Sequence, residues 1–387
     1  AVQMELTAIV RFLIEQGADI NIPLSLTGLR PIHHAAYSNS AEILKLLIDA
    51  KADLTAQNIS KETPLFVAAR FGSFDCAKIL IEAGANVEQR DENMATPLIV
   101  ASFKGFVGII EMLLSRGVRV DVKDKLGFTP LHYAVDSGSE DAVKVLLRNG
   151  APVNADDGAG ITPLIQAVVS NEPETVKLLL AAGARVNPAV EGKITPLHSA
   201  VERGYTDIAQ ILIDNKAELN PAADSLSGNT PLHLAVNRNQ LHTAKLLIDN
   251  KADLNAKNTG NATPLHLAAH YGLTDMAKLL LNYHADPNAR DKDGLTPLML
   301  AVQNNIPSMV NLLLRHNADV NQKDAKNNTA LHLAAQSGFT QIALNLIRQG
   351  ADAAALNADN DPSTPQDLAY ASGHAETYEV IEIATKI

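Results

Sequence analysis

A four-residue motif returns eleven times along the 387-residue chain, and its spacing limits the possible folds more than any other feature. The motif reads TPLH or a close variant, and successive copies begin 33 residues apart, except for intervals of 35 after Thr195 and Thr329. A period of this length predicts a solenoid whose units bury their apolar faces only against their neighbours. The copies begin at Arg30, Thr63, Thr96, Thr129, Thr162, Thr195, Thr230, Thr263, Thr296, Thr329 and Thr364.

Each unit contains two short apolar segments, which predict a pair of helices. The Thr of the motif can cap the first helix, and its Pro fits the first helical turn. Ala68 and Ala69 allow a neighbouring helix to approach, whereas leucines such as Leu178–Leu180 supply the buried face of a second helix. A residue such as Gly84 can end the second helix in the left-handed conformation. The turn-forming residues that follow, such as 288–294, predict a tight hairpin finger.

This pattern resembles the ankyrin repeat family, in phase over eleven registers. The resemblance implies an all-α repeat solenoid of helix-turn-helix units with β-hairpin fingers, stacked into a curved array with a concave binding face. We interpret residues 1–387 as one ankyrin-repeat domain, with a truncated first repeat at 1–29, ten full repeats at 30–363 and a C-terminal capping repeat at 364–387. The first residues align with the segment from Ala235, inside a repeat, so we expect further sequence upstream.

Composition argues against several partners and compartments. The formal charge of -11 and the pI near 5.5 disfavour nucleic acid, whose binding is driven by clustered Lys and Arg. The sequence has no apolar run long enough to insert into a membrane and no signal peptide at its start. The single cysteine, Cys76, favours a reducing intracellular compartment such as the cytoplasm, or a host-cell cytoplasm if the chain is a secreted bacterial effector. We expect a monomer.

Six of the twelve histidines occupy the last position of the motif, and they are the strongest candidates for chemistry. Neighbouring repeats lie about 10 Å apart, whereas the ligands of one zinc ion all lie about 2 Å from it, so these side chains cannot share a metal. We interpret them as bridges between backbone groups of adjacent repeats. We therefore predict no metal, no cofactor and no catalytic residue. The six are His33, His132, His198, His233, His266 and His332.

The family resemblance implies that partners contact the finger tips and the exposed positions near the end of each first helix. Aromatic and Arg side chains dominate interfaces, so two groups of such positions are candidate binding residues. Both groups carry positive charge and could suit an acidic peptide. The first cluster is Tyr37, Arg70, Phe71, Phe103 and Lys104; the second cluster is Arg203, Arg238, His270 and Tyr271, with Glu202 beside it. The fingers near Asn220 and Asp359 each hold two extra residues and are further candidates.

These observations predict a protein–protein interaction scaffold or adaptor that binds a partner protein or peptide through the concave helix face and the fingers, without catalysis. One alternative is the targeting region of a larger effector, toxin or enzyme whose catalytic domain lies outside this chain; a non-repeat domain in a longer sequence would favour it. Another alternative is a mechanical spacer, but the exposed aromatic and Arg side chains argue against it.

Overall fold

The computed structural model describes residues 1–24, 26–187, 193–358 and 362–385. The chain divides into two compact units, Ala1–Arg185 and Val186–Ile387. Within the described residues, regular structure consists of 23 α-helices and two short 3-10 helices, Val2–Met4 and Asp224–Leu226. The only β contact in those ranges is an isolated bridge between Ala223 and Asn229. The prediction of an all-α repeat solenoid is confirmed.

The helices alternate between the first and the second helix of each repeat. In the N-terminal unit they are α1 (Thr7–Glu15), α2 (Pro31–Tyr37), α3 (Ala41–Asp49), α4 (Pro64–Phe71), α5 (Phe74–Glu82), α6 (Pro97–Lys104), α7 (Val107–Leu114), α8 (Pro130–Asp136), α9 (Glu140–Arg148), α10 (Pro163–Val169) and α11 (Pro173–Ala181). In the C-terminal unit they are α12 (Pro196–Arg203), α13 (Thr206–Asp214), α14 (Pro231–Asn237), α15 (Leu241–Asp249), α16 (Pro264–His270), α17 (Thr274–Asn282), α18 (Pro297–Gln303), α19 (Pro307–Arg315), α20 (Ala330–Gln336), α21 (Thr340–Arg348), α22 (Pro365–Ala371) and α23 (Ala375–Thr385).

The motif starts a first helix in the predicted way. In α4 the Thr63 hydroxyl accepts a hydrogen bond from the Phe66 amide at 3.3 Å, and Pro64 occupies the first turn. This arrangement satisfies an amide that the helix itself leaves without a partner. Second helices are followed by a left-handed residue whether or not it is glycine, with φ of 90° at Gly84 and 69° at Lys51. Both sequence predictions are therefore confirmed.

Several fingers in the described part of the chain are joined to the preceding finger by backbone hydrogen bonds. Within one finger the Asp91 amide donates to the Ala95 carbonyl at 3.0 Å, and the Glu92 amide donates to the Ser60 carbonyl of the preceding finger at 3.0 Å. The amide of Lys125 in the next finger continues the series. These fingers are hairpin turns too short to form strands, which is how they differ from the predicted β-hairpins.

The motif histidines bridge adjacent repeats, as predicted. The Nδ1 atom of His132 accepts a hydrogen bond from the Thr129 amide at 3.2 Å, so its Nε2 carries the proton and donates to the Ile161 carbonyl of the next repeat at 3.1 Å. Equivalent bonds from Nε2 link His198 to Asn229 and His266 to Leu295. The imidazole thus connects the start of one helix to the finger of the following repeat.

A second bridge between repeats was not predicted. Asn288 follows a second helix, and its Oδ1 accepts from the Asp319 amide of the next repeat at 2.7 Å, while its Nδ2 donates to the Asn317 carbonyl at 3.3 Å. One amide side chain thus satisfies two backbone groups beyond the end of the next second helix. The same pair of bonds is made by Asn154, Asn187 and Asn321.

Close packing between fingers makes Gly127 far more sensitive to substitution than Gly158, which lies in the next finger. Gly127 has φ of 84°, and a Cβ placed on it would clash with the carbonyl oxygen of Asp157 in the next finger. Gly158 has φ of 94°, but a Cβ there would meet nothing within 4 Å. Both alanine substitutions carry left-handed strain of about 1 kcal/mol, and only Gly127→Ala adds the clash, of about 1 to 3 kcal/mol. We expect urea unfolding to show a clearly larger loss for Gly127→Ala; equal losses would contradict this account.

Candidate functional site

Four aromatic side chains follow one another on consecutive first helices of the N-terminal unit. Tyr37 on α2 packs edge-on against Phe71 on α4, with ring centroids 4.6 Å apart, and Phe103 on α6 packs edge-on against Tyr133 on α8 at 5.6 Å. Tyr37, Phe71 and Phe103 remain 57%, 47% and 42% exposed. Large rings left this open to solvent are available to contact another molecule.

Two cavities lie beside these rings, between the first helices and the fingers. The smaller has a volume of about 640 Å³, and Leu29, Ile59 and Val67 join Tyr37 and Phe71 in its wall. The larger has a volume of about 710 Å³ and is bounded on the helix side by Phe103 and Tyr133 among others. Cavities of this size accommodate side chains or small ligands.

An ion pair between Glu62 and Arg70 lies between the two cavities. Glu62, on a finger, binds the guanidinium of Arg70 on α4, and both residues line both cavities. The Glu62 side chain is only 9% exposed, and its second oxygen accepts a 2.7 Å hydrogen bond from Asn58. The guanidinium also lies 5.6 Å from the centre of the Phe71 ring. The positive charge of Arg70 is therefore neutralised within the protein.

Carboxylates line the finger side of the larger cavity. Asp91 accepts the amides of Asn93 and Ala95 with its Oδ1 atom, at 2.9 and 2.8 Å. Burial, followed by the negative charges of Glu62 and Glu92, raises the pKa of Asp91. The cavity wall holds four carboxylates and three cationic groups: Glu62, Asp91, Glu92 and Asp124 against Arg70, Lys104 and Lys125. The positive excess that the sequence predicted for the first cluster is not present here.

Tyr133 is the aromatic residue of this site that the sequence reading missed. It lies one turn before the helix-end positions that the family resemblance indicated, and its hydroxyl donates to Asp124 Oδ2 at 2.6 Å. Burial and the hydrogen bond to Asp124 raise the pKa of the Tyr133 hydroxyl. One signal could have found it, because the equivalent position carries Leu in several other repeats. Those are Leu234, Leu267, Leu300, Leu333 and Leu368.

The first cluster is brought together by the structure, whereas the second forms separate pairs. Lys104 lies 4.9 Å from the centre of the Phe103 ring and, like Arg70, lines the larger cavity. In the C-terminal unit, Arg238 forms an ion pair with Glu202 at 3.3 Å, and His270 packs edge-on against Tyr271 at 4.9 Å. Arg203 is exposed. Neither of the two cavities involves these residues.

Other candidates for chemistry are accounted for by packing. Cys76 is fully buried in α5, and burial raises the pKa of its thiol to about 12, so the reactive thiolate is scarce at neutral pH. In the described ranges, no three His, Cys, Asp or Glu side chains are grouped so that they could hold a metal ion. No helix there has the length and apolarity to cross a bilayer. The long finger at Asp359 lies outside the described residues.

Comparison with known proteins identifies the class to which this fold belongs. The sequence model of the family described as ankyrin repeats, in three copies, matches overlapping segments over nearly the whole chain. The segments are residues 1–91, 81–157, 98–190, 164–258, 217–291, 253–324 and 298–382. The chain belongs to the ankyrin repeat family, whose members generally serve as non-catalytic modules for protein–protein interaction. No curated protein sequence matches it.

Proposed function

We propose that this chain is a scaffold or adaptor that binds a partner protein or peptide through the first cluster and the adjoining fingers of its N-terminal unit, without catalysis of its own. The row of exposed rings beside two open cavities carries this proposal. Tyr37, Phe71 and Phe103 are held by neighbouring side chains, so little conformational entropy is lost when a partner covers them. The second cluster offers one ion pair, Arg238–Glu202, and one aromatic pair, His270–Tyr271, and we assign it a secondary role.

The proposal predicts that removing two rings weakens partner binding without unfolding the protein. The parent chain and the Phe71→Ala/Phe103→Ala variant are immobilised and exposed to a cell lysate, and retained proteins are identified by mass spectrometry. A matched control, Phe12→Ala/Tyr370→Ala, removes two exposed rings outside both clusters. We expect at least about a tenfold loss of affinity in the first variant for a partner retained by the parent and the control. Equal retention by all three would refute this site assignment.

A further inference from the structure

We infer that the two cavities together bind one extended peptide segment, with an apolar side chain in the smaller cavity and the side chain of a Lys or Arg in the larger one. This inference rests on the proposed function and names the chemistry of the partner. The charge expected of the peptide is opposite to the one that the sequence suggested, because the sequence alone shows Arg70 as an unpaired cation.

The smaller cavity fits an apolar side chain. Its wall includes Leu29, Ile59 and Val67 together with the rings of Tyr37 and Phe71. Ile59 is 69% exposed, so this wall is accessible from solvent. Covering such surface removes apolar area from water, which lets an aliphatic side chain act as an anchor.

The larger cavity fits a cation. Among the described residues, Asp91 Oδ2 accepts no hydrogen bond from the protein and Glu92 forms no ion pair, whereas Glu62 and Arg70 neutralise each other. Burial, and after it the negative charges of Glu62 and Glu92, raises the pKa of Asp91, and an incoming cation would stabilise its ionised form.

The aromatic wall of the larger cavity favours the same ligand. The ammonium of Lys104 already lies over the Phe103 ring at 4.9 Å, which is the contact that a cation makes with an aromatic face. Lys104 and Lys125 are both exposed and carry long, flexible side chains, so they can move aside when a partner enters. The carboxylate of Asp91, in contrast, is fixed by two backbone amides.

The distance between the cavities sets the spacing in the peptide. The cavities share Ser60, Glu62 and Arg70 and are displaced by one repeat, a step of about 10 Å. A peptide in the extended polyproline II conformation has three residues per turn and advances about 3.1 Å per residue, so side chains three residues apart lie on the same face at about this distance. The required spacing distinguishes this inference from a general preference of the site for positively charged peptides.

The test uses a charge-neutral variant that preserves the finger. Asn58 and Asn258 occupy the place of Asp91 in other fingers and accept the same two backbone amides through Oδ1, so Asp91→Asn retains those bonds. We combine it with Glu92→Gln. The matched control, Asp291→Asn/Asp293→Asn, removes two charges from a finger of the C-terminal unit.

A phage-displayed library of random dodecapeptides is selected on the parent chain, and enriched peptides are synthesised with fluorescein and measured by anisotropy. We expect enriched sequences to carry an apolar and a basic residue three positions apart. Their dissociation constants should rise at least about tenfold with Asp91→Asn/Glu92→Gln and stay unchanged in the control.

Four results would contradict part or all of this inference. The inference is overturned, and the proposed function is left standing, if the selected peptides require Phe71 and Phe103 but lack a basic residue. The same conclusion follows if these peptides bind Asp91→Asn/Glu92→Gln as tightly as the parent. If no selected peptide depends on those two rings, or if none is enriched, both the inference and the assignment of this face are rejected.

Discussion

Acidification from about pH 7.5 to about pH 4.5 is expected to lower the free energy of unfolding steeply, with His233 alone contributing about 2 to 3 kcal/mol of the loss. This imidazole is fully buried, and burial lowers its pKa from 6.5 to about 4. Its Nε2 donates to the Ala262 carbonyl at 2.9 Å, and its Nδ1 accepts from the Thr230 amide at 3.3 Å, so the native structure uses the neutral ring.

The sign of the effect follows from proton linkage. Between pH 6.5 and about 4 the unfolded chain holds a proton on His233 that the folded chain does not, so stability rises with pH in that window. The stabilisation is complete above the unfolded pKa and is lost as the pH falls towards the folded one. Burial lowers the pKa of five further motif histidines in the same direction: His33, His132, His198, His266 and His332.

The variant His233→Met isolates this contribution, because Met299 already occupies the same motif position in another repeat. At about pH 7.5 the variant should be less stable by about 1 to 3 kcal/mol, since the Thr230 amide and the Ala262 carbonyl lose their partner. Its stability should then fall less than that of the parent as the pH decreases.

Urea unfolding at a series of pH values provides the measurement, with His242→Gln, an exposed histidine in the next helix, as the control. The control should follow the parent throughout. A His233→Met variant whose stability falls in parallel with the parent between about pH 6.5 and about pH 4.5 would disprove the linkage.

The bridging role of these histidines could be predicted because it depends on local position and repetition. A Thr three residues before a His fixes the hydrogen bond to Nδ1, and the same register in several repeats places every Nε2 against the next finger. The left-handed ends of the second helices were predictable for the same reason. A single copy of the motif would be ambiguous, whereas many copies in the same register all indicate the same structure.

The charge of the binding face could not be predicted, because it depends on pairing between a finger and a helix. Glu62 and Arg70 are eight residues apart and belong to different elements, so no helical spacing indicates their ion pair. The sequence shows Arg70 as an exposed cation, whereas the structure shows a neutral pair at the edge of an acidic cavity. The position of Tyr133 departs from the Leu of other repeats, but its contacts could not be predicted, since they are with Phe103 and Asp124 in neighbouring segments.

Replacing one core leucine is expected to cost about 2 to 5 kcal/mol, comparable to or larger than the effect of any one histidine. Leu131 lies in α8 with none of its surface exposed, and α8 packs against α6, α9 and α10. Leu131→Ala leaves a void at an interface that each neighbouring repeat needs to bury its own apolar face. The control is Leu126→Ala in the same repeat, a residue 66% exposed, for which we expect a change within about 0.5 kcal/mol.

Hydrogen exchange monitored by mass spectrometry would show which helices lose protection when Leu131 is replaced by Ala. In a solenoid, stability is a sum of each repeat and its nearest-neighbour interfaces, so protection should fall in α6, α8, α9 and α10 before it falls elsewhere. Exchange in α22 and α23, many repeats away, should remain as in the parent. If protection instead decreased equally in all helices, the chain would unfold as one cooperative unit, and the nearest-neighbour description of this solenoid would be wrong.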